Sequence, residues 1–260
     1  MIHVGTSGFK FPDWKGSFYP GDMPAKEWLR YYGERFDCLE VNSTYYRLLP
    51  ARTFHYMAQK VPAGFRFTVK AYGGLTHEPG AGDDEDFQAF LDSLQPLLEA
   101  DKFGCVLAQF PHRFHNTEDN RRYLLEFKQR FGALPLVAEF RSREWAQPAV
   151  FDLLREAGIG FCAVDEPRFS SLMPPVAVAT SAIGYVRFHG RNYEKWWKGD
   201  AKTRYDYLYS EEELREWTPK IRGLEEETER VYVFMNNCYG GQAATNAAQM
   251  KELLQRELGA

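Results

Sequence analysis

The chain has 260 residues, of which 44% are hydrophobic and 26% are charged, and its formal net charge at pH 7 is −4. The length is close to the roughly 250 residues typical of one β/α barrel, which favours a single domain over residues 1–260. The slightly acidic balance argues against binding of duplex nucleic acid through many phosphate contacts, and no apolar run approaches the roughly 20 residues of a membrane span.

The first predicted strand occupies the amino-terminal end of the chain and begins almost at Met1. No charged region followed by an apolar segment precedes this strand, so we expect no signal peptide and a cytoplasmic location. The cysteines lie far apart and form no Cys-x-x-Cys pair, which predicts free thiols rather than a zinc or redox site. They are Cys38, Cys105, Cys162 and Cys238.

Eight short apolar runs follow one another along the chain, and nearly every one ends in a polar or charged residue. They are Ile2–Ser7, Cys38–Asn42, Arg66–Lys70, Cys105–Gln109, Leu136–Glu139, Gly160–Asp165, Gly184–His189 and Val231–Asn236. Between successive runs there is room for a loop and a helix. This repetition predicts a parallel sheet closed into a single (β/α)8 TIM-type barrel, in which the carboxyl ends of the strands build the active site.

Amphipathic periodicity fills most of the gaps between the runs and predicts helices there. Their predicted bounds are Pro24–Gly33, Ala51–Lys60, Asp83–Ala100, Thr117–Phe131, Gln147–Ala157, Glu211–Glu229 and Ala243–Leu258. Thr117 is a predicted N-cap, and Gly158 is a predicted helix stop. The segment from Pro167 to Pro175 is irregular, so the helix after the sixth strand is expected to be reduced to a loop.

Polar side chains gather at the predicted carboxyl ends of the strands. Because side chains alternate along a strand, residues two apart share a face, as Glu40 does with Asn42 and Arg187 with His189. The intervening residues are apolar and suit the side that faces the helices. The side chains expected in the barrel mouth are Glu40, Asn42, Lys70, Gln109, Glu139, Arg141, Asp165, Arg187, His189 and one of Asn236 and Asn237.

Two interpretations of this polar set are open. The charges can form a network of ion pairs that closes the top of the barrel, since a buried charge needs a partner. They can also form a pocket for a small polar substrate, expected to be anionic, of a phosphorylated, carboxylated or sugar-like kind. We favour the pocket, because apolar packing would stabilise the barrel at least as well as so many polar groups.

Acid–base catalysis is the chemistry that these residue types favour, because burial can bring the pKa of a carboxyl group toward neutrality. The candidate catalytic groups are the carboxyl groups of Glu40, Glu139 and Asp165 and the proton shuttle His189. Arg187 and Lys70 are predicted to clamp an anionic group of the substrate. The other predicted substrate-binding residues are Asn42, Gln109, Arg141, Asn236, Asn237, Tyr45 and Trp197. These roles fit a hydrolase, an isomerase or a lyase.

A metal site is the rival use of three of these residues. Glu139, Asp165 and His189 end three consecutive predicted strands, and oxygen and imidazole ligands of this kind bind divalent metal ions. The predicted cations of the mouth would crowd such a site, and no His-x-x-x-His spacing is present. We therefore expect neither a bound metal ion nor a cofactor.

Aromatic and glycine-rich loops follow the strands. Some of the rings are expected to form a wall on which a sugar or a base stacks. After the eighth strand, the segment Asn236–Gln242 contains two glycines and leads into a helix. Backbone N–H groups at a helix start favour anions, so we expect an anion site between Arg187, His189 and this loop.

Two other functions stay open. A protein that binds or processes nucleic acid would combine ring stacking with the basic residues of the long loop after the seventh strand, which are Lys195, Lys198, Lys202 and Arg204. The acidic net charge makes it the less favoured candidate. A scaffold that binds a small ligand without turnover would also place polar groups at the strand ends.

Several motifs resemble the YecE-like family, also called domain of unknown function 72. They are Gly5–Gly8, Phe18–Pro20, Glu40–Tyr46, Gln109–Pro111, Glu139–Arg141, Val186–Arg191, Tyr205–Tyr209 and Asn236–Asn237. The resemblance runs nearly end to end and implies a β/α barrel with its shared residues at the strand ends, but no reaction. Two positions depart from the family pattern: Phe9 stands where the family usually has tryptophan, and Cys238 where it often has histidine.

Overall fold

The computed structural model describes residues 1–77, 84–200 and 203–258. Eight parallel strands form one closed barrel, in which each strand pairs with the next along the chain and the last pairs with the first. The strands are β1 Ile2–Ser7, β2 Cys38–Val41, β3 Arg66–Lys70, β4 Phe103–Gln109, β5 Leu136–Glu139, β6 Ile159–Asp165, β7 Ile183–Phe188 and β8 Arg230–Met235. The predicted fold is confirmed, and the predicted strand ends agree to within two residues.

Nine α-helices lie between and after the strands in the described part of the chain. They are α1 Trp28–Gly33, α2 Ala51–Gln59, α3 Gly73–Thr76, α4 Asp84–Glu99, α5 Glu118–Phe131, α6 Pro148–Ala157, α7 Glu211–Arg215, α8 Thr218–Glu227 and α9 Gln242–Leu258. The predicted helix Pro24–Gly33 is an α-helix only from Trp28, after a short 3-10 turn, and α3 was not predicted. Asp83, the predicted start of α4, lies outside the described residues.

The helix ends follow local chemistry. The Thr117 hydroxyl accepts a hydrogen bond from the Asn120 N–H at 3.3 Å, as a predicted N-cap should. Gly158 ends α6 with a φ of 64°, in the left-handed region that glycine adopts without strain. The predicted helix Glu211–Glu229 is divided into α7 and α8, because Pro219 stands in the first turn of α8 and cannot continue a helix from the preceding turn.

The connection between β6 and β7 is the exception to the β/α alternation. Residues 166–182 run as irregular chain without a helix, which confirms the predicted reduction to a loop. The segment is fastened beside the end of β5, where the Arg143 N–H donates to the Ser171 carbonyl at 3.0 Å. It is therefore positioned at the same end of the barrel as the polar strand ends.

An aromatic layer lies inside the barrel next to these polar residues. The Tyr185 ring on β7 lies 6.1 Å from Tyr232 and 5.3 Å from Phe234 on β8, between ring centroids. All three side chains are fully buried. No helix in the described ranges is both long enough and apolar enough to cross a membrane.

Candidate functional site

Arg187 lies among the strand ends with its guanidinium group between two buried carboxylates. Its Nη2 donates to Glu40 Oε1 at 2.6 Å, and its Nη1 donates to Glu139 Oε2 at 2.5 Å. The Tyr185 hydroxyl donates to the other oxygen of Glu40 at 2.7 Å. Because Glu40, Glu139 and Arg187 come from β2, β5 and β7, these bonds connect strands across the barrel interior.

Glu139 is the most heavily engaged carboxylate of this cluster. Its Oε1 lies 2.8 Å from Arg141 Nη2 and 3.2 Å from His189 Nε2, and its side chain is fully buried. Although burial opposes ionisation, the guanidinium groups of Arg141 and Arg187 hold the pKa of Glu139 well below its usual range. Glu139 is therefore a carboxylate at neutral pH, and its contacts suit it to holding its neighbours in place.

Arg141 also binds a second carboxylate, Glu166, which the sequence analysis missed. Arg141 Nη1 donates to Glu166 Oε2 at 3.0 Å, and the Met173 N–H donates to Glu166 Oε1 at 3.1 Å. Burial raises the pKa of Glu166 to about 7. Alternation along β6 is the pattern that points to Glu166. Cys162 faces the interior, where its Sγ lies 3.9 Å from a Glu139 oxygen. Because every second side chain shares a face, the side chain four residues later, that of Glu166, faces the interior too.

Asp165 points away from the mouth, which corrects the predicted orientation. Its carboxylate accepts hydrogen bonds from Arg191 Nε and Nη2 at 2.9 and 2.8 Å, and from the Tyr209 hydroxyl and Trp217 Nε1, both at 2.7 Å. The same alternation that turns Cys162 inward turns Asp165 toward the helices. Asp165 therefore fastens the chain that follows β7 onto the outside of the barrel.

Lys70 differs from the arginines of the mouth, because in the described residues no carboxylate oxygen lies within 4.0 Å of its amine. Its Nζ donates to Gln109 Oε1 at 2.8 Å and lies 4.4 Å from the centroid of the Tyr45 ring. The Gln109 amide is oriented by its own hydrogen bond to the Phe110 carbonyl at 2.8 Å. Burial, together with the positive charge of Arg187, lowers the pKa of Lys70 to about 7.

His189 is a neutral, fully engaged imidazole. Its Nε2 lies 3.2 Å from Glu139 Oε1, and its Nδ1 lies 2.9 Å from Asn236 Nδ2. Burial, with the charge of Arg141, lowers its pKa to about 3, so the ring donates from Nε2 and accepts at Nδ1. The predicted role as a proton shuttle would require one of these hydrogen bonds to break.

The groups predicted to bind an anion after β8 already have partners within the chain. Arg187 is neutralised by two carboxylates. The Gly240 N–H donates to Asp13 Oδ2 at 3.1 Å, and Trp14 Nε1 donates to the Cys238 carbonyl at 2.8 Å. The glycine loop is thus packed against the segment that follows β1, and the predicted clamp and anion site are not supported by this geometry.

The three predicted asparagines have different surroundings. Asn237 is fully buried, and its Nδ2 donates to the Tyr207 carbonyl and to Asn246 Oδ1, both at 2.8 Å. It therefore connects β8 to α9 rather than facing the mouth. Asn42 is partly exposed, and its Oδ1 is a buried acceptor without a partner among the described residues. Asn42 and Asn236 are the two that are partly exposed.

Aromatic rings lie at the rim of the site. The Trp197 side chain is 52% exposed, and its ring centroid lies 5.6 Å from that of His112, which follows β4, and 6.1 Å from that of Phe169. The Tyr45 ring covers one side of the Lys70 amine. Trp197 and Tyr45 therefore lie on the loops that follow the strands, and their role in stacking a substrate stays a prediction.

The three residues considered as metal ligands do not converge. Asp165 faces the helices, whereas Glu139 and His189 are hydrogen-bonded to each other and to other side chains. Within residues 1–77, 84–200 and 203–258, no group of three or more His, Cys, Asp and Glu side chains is arranged to hold a metal ion.

Two surface cavities lie on other parts of the barrel. One of 390 Å³ is lined by Phe18, Phe36 and residues of α9, and one of 240 Å³ is lined by residues at the amino ends of several strands. Neither contains a residue of the strand-end cluster.

Comparison with known proteins identifies relatives along the whole length of the chain. Residues 3–260 match the family described as "Protein of unknown function DUF72". The UPF0759 protein YunF of Bacillus subtilis is 35% identical over 273 residues, which cover 99% of this chain and 96% of the relative. A DUF72 family protein from Thermotoga maritima is 41% identical, with a TM-score of 0.91 and coverage of 98% of this chain and 99% of its own. A DUF72 family protein from Enterococcus faecalis is 30% identical, with a TM-score of 0.88 and coverage of 98% and 96%.

The sequence resemblance is confirmed by these comparisons, since the YecE-like proteins and DUF72 are the same family. The match extends over nearly every residue of the chain, and the solved relatives share its barrel. The chain belongs to the DUF72 family.

Proposed function

We propose that this protein is an enzyme that carries out acid–base chemistry on a small polar substrate at the carboxyl ends of the barrel strands. The observation that supports the proposal is the state of Lys70, a half-buried lysine whose amine has a neutral hydrogen-bond partner and a pKa lowered to about 7 by burial. A general acid or base works best when its pKa lies near the working pH. In this proposal Lys70 is the group that exchanges the proton.

The neighbouring ion pairs support this role by keeping fixed positive charge close to Lys70. The guanidinium groups of Arg141 and Arg187 stay protonated at all physiological pH values. Burial is the main cause of the lowered pKa of Lys70, and the charges of Arg187 and Arg141 add to it, while the carboxylates of Glu139 and Glu40 act in the opposite direction. Because Glu40 and Glu139 are paired with these arginines, we assign to Lys70 the acid–base role that the sequence pattern favoured for the carboxyl groups.

Hydrogen bonding is the proposed basis of substrate recognition. The carboxylates of Glu40 and Glu139 offset the charges of Arg141 and Arg187, so a strongly anionic ligand is not required for charge balance. The unpartnered Oδ1 of Asn42 offers an acceptor to a hydroxyl or amine group. A sugar-like or hydroxylated substrate fits these groups, with a rim of rings on which a flat face can pack.

The titration of Lys70 tests the proposal. In protein labelled with ¹³C at lysine Cε, we expect the Lys70 signal to titrate near pH 7, well below the pKa of about 10.4 that is usual for lysine in water. A panel of small polar metabolites, followed by mass spectrometry, provides the activity assay. If the amine acts as a base, kcat/KM rises with pH through about 7 and then levels off. Replacing Lys70 with methionine should lower activity by about 10²–10⁴-fold.

Lys26→Met is the matched control, because it removes an exposed amine that does not belong to the strand-end cluster. It should leave activity unchanged. Full activity of Lys70→Met, or titration of Lys70 near pH 10, would contradict the proposal. A small molecule that co-purifies and is released unchanged would instead favour a non-catalytic binding scaffold.

A second candidate is binding of single-stranded nucleic acid, which is favoured by the exposed rings of the loop after β7. Trp197 and Tyr193 are 52% and 50% exposed. The basic residues of this loop are the exposed Lys195 and Lys198, the partly exposed Arg204, and Lys202, which lies outside the described residues. Bases stack on exposed rings, and basic side chains follow the phosphate backbone.

For this candidate we expect a fluorescent single-stranded oligonucleotide to bind with an affinity that falls steeply as salt is added. Trp197→Ala should weaken binding by about 1–3 kcal/mol, whereas Tyr56→Ala, which removes an exposed ring from α2, should not. Anisotropy titrations at two salt concentrations measure both effects. Equal losses in the two variants, or no binding by the unmodified protein, would remove this candidate.

A further inference from the structure

We propose that the Lys70 Nζ is a nucleophile that forms an imine with an aldehyde or ketone group of the substrate, an inference that rests on the proposed function. It is drawn from a juxtaposition at the strand ends. The amine of a half-buried lysine is hydrogen-bonded to an amide and lies against an aromatic ring, and two guanidinium groups held by carboxylates are close enough to act on its charge. Lysine amines become nucleophiles in enzymes when they are desolvated or placed beside another cation.

The distribution of carboxylates in the mouth is the first argument. Arg187 is held by two carboxylates, and Arg141 is held by Glu139 and Glu166. Lys70 receives none within 4.0 Å among the described residues, although acidic groups are plentiful around it. A lysine that served only as a structural cation would be stabilised by such a partner. The arrangement instead leaves the amine free to exist without charge.

The positioning of Lys70 is the second argument. Its backbone carbonyl accepts a hydrogen bond from the Thr44 hydroxyl at 2.5 Å, and the following N–H, that of Ala71, donates to the Leu107 carbonyl at 2.9 Å. Gln109 Oε1 accepts one N–H of the amine, while the Tyr45 ring shields one side from water. A nucleophile held on a rigid strand end needs little reorganisation before it attacks.

The bond changes balance without an oxidant or a reductant. The uncharged Nζ attacks the carbonyl carbon, a C–N bond forms, and the carbonyl oxygen becomes a hydroxyl group by taking up a proton that leaves nitrogen through water. The carbinolamine then loses this hydroxyl group with a proton as water, and a C=N bond results. Once protonated, the imine withdraws electrons from the neighbouring carbon, which assists proton removal or C–C cleavage there.

The substrate class that follows is a small aldehyde or ketone with further polar groups. Asn42 Oδ1 lacks a partner among the described residues and would accept from a substrate hydroxyl group. Asn236 follows β8, is partly exposed, and lies beside His189. Both are amide groups, which suit hydroxylated carbonyl compounds better than they suit multiply charged ones.

Reductive trapping tests the inference directly. The full-length protein is incubated at pH 7 with glycolaldehyde or with pyruvate, each with sodium cyanoborohydride, and adducts are mapped by peptide mass spectrometry. A lysine with a pKa of about 7 has roughly a thousandfold larger fraction of free amine at this pH than an exposed lysine. At limiting probe we expect Lys70 to be labelled at least about tenfold faster than any other lysine.

Variants decide whether the label reports the site. Lys70→Arg keeps a cation but cannot form the imine and should lose the preferential adduct, whereas Lys26→Met should keep it. Thermal melts confirm that both variants are folded. Uniform labelling of surface lysines, no labelling with either probe, or an unchanged adduct pattern in Lys70→Arg would overturn the inference. If Lys70 titrates near pH 7 and activity requires it but no adduct forms, the acid–base function stands and only the imine is excluded.

Discussion

Replacing Arg187 with methionine is expected to destabilise the protein by about 3–5 kcal/mol, the usual cost of leaving a buried charge without its partner. The guanidinium group lies 2.6 Å from Glu40 and 2.5 Å from Glu139, and both carboxylates are fully buried. Glu139 would keep Arg141, but Glu40 would keep only the Tyr185 hydroxyl. Urea unfolding followed by circular dichroism gives the free energy of unfolding.

An exposed arginine is the control for this substitution. Arg122 is 63% exposed and pairs with Asp119 on the same helix, so Arg122→Met should change the stability by at most about 1 kcal/mol. Adding Glu40→Gln to Arg187→Met should recover part of the loss, because one uncompensated charge is removed. A wild-type stability for Arg187→Met would show that these ion pairs do not hold the barrel together.

Removing the Asp165 carboxylate is expected to destabilise the protein by a similar amount, about 3–5 kcal/mol. In Asp165→Ala the Trp217 Nε1–H and the Tyr209 hydroxyl would be buried without this acceptor, and Arg191 would lose two of its carboxylate contacts. A buried donor without a partner costs about 1–3 kcal/mol. The effect belongs to stability, because Asp165 faces the helices and not the mouth.

An exposed aspartate is the control for this substitution. Asp152 is 66% exposed and pairs with Arg155 on α6, so Asp152→Ala should cost at most about 1 kcal/mol. In Asp165→Ala below its melting temperature, Lys70 should still titrate near pH 7. A variant of normal stability that has lost activity would return Asp165 to the set of catalytic groups.

The fold could be predicted from the sequence because its signals are local. A strand buried on both faces is a short apolar run, and an amphipathic helix has apolar residues that repeat every 3.6 residues. Both patterns can be seen in the sequence without knowing which elements pack together. Eight such runs in a chain of this length leave the barrel as the economical arrangement. The polar residues at or near the ends of these runs, such as Glu40, Lys70 and Glu139, are therefore predicted to share one end of one barrel. The predicted bounds of α2, α4, α5, α6 and α9 agree to within one residue, whereas the helix predicted from Pro24 begins only at Trp28 and the helix predicted across Pro219 is divided.

The chemistry of the site depended on contacts that the sequence does not contain. A strand end shifted by one residue exchanges the two faces, so Asp165 and Glu166 could be separated only once Cys162 was seen to face Glu139. The bonds from Arg187 and Tyr185 to Glu40 join strands that are distant in sequence, and barrel closure alone brings them together. The carboxylates of the site bind Arg141 and Arg187, so among the described residues Lys70 has no carboxylate partner. That choice leaves Lys70 beside Gln109 with a pKa near neutrality, because burial and two fixed positive charges act on an amine that has no anion of its own.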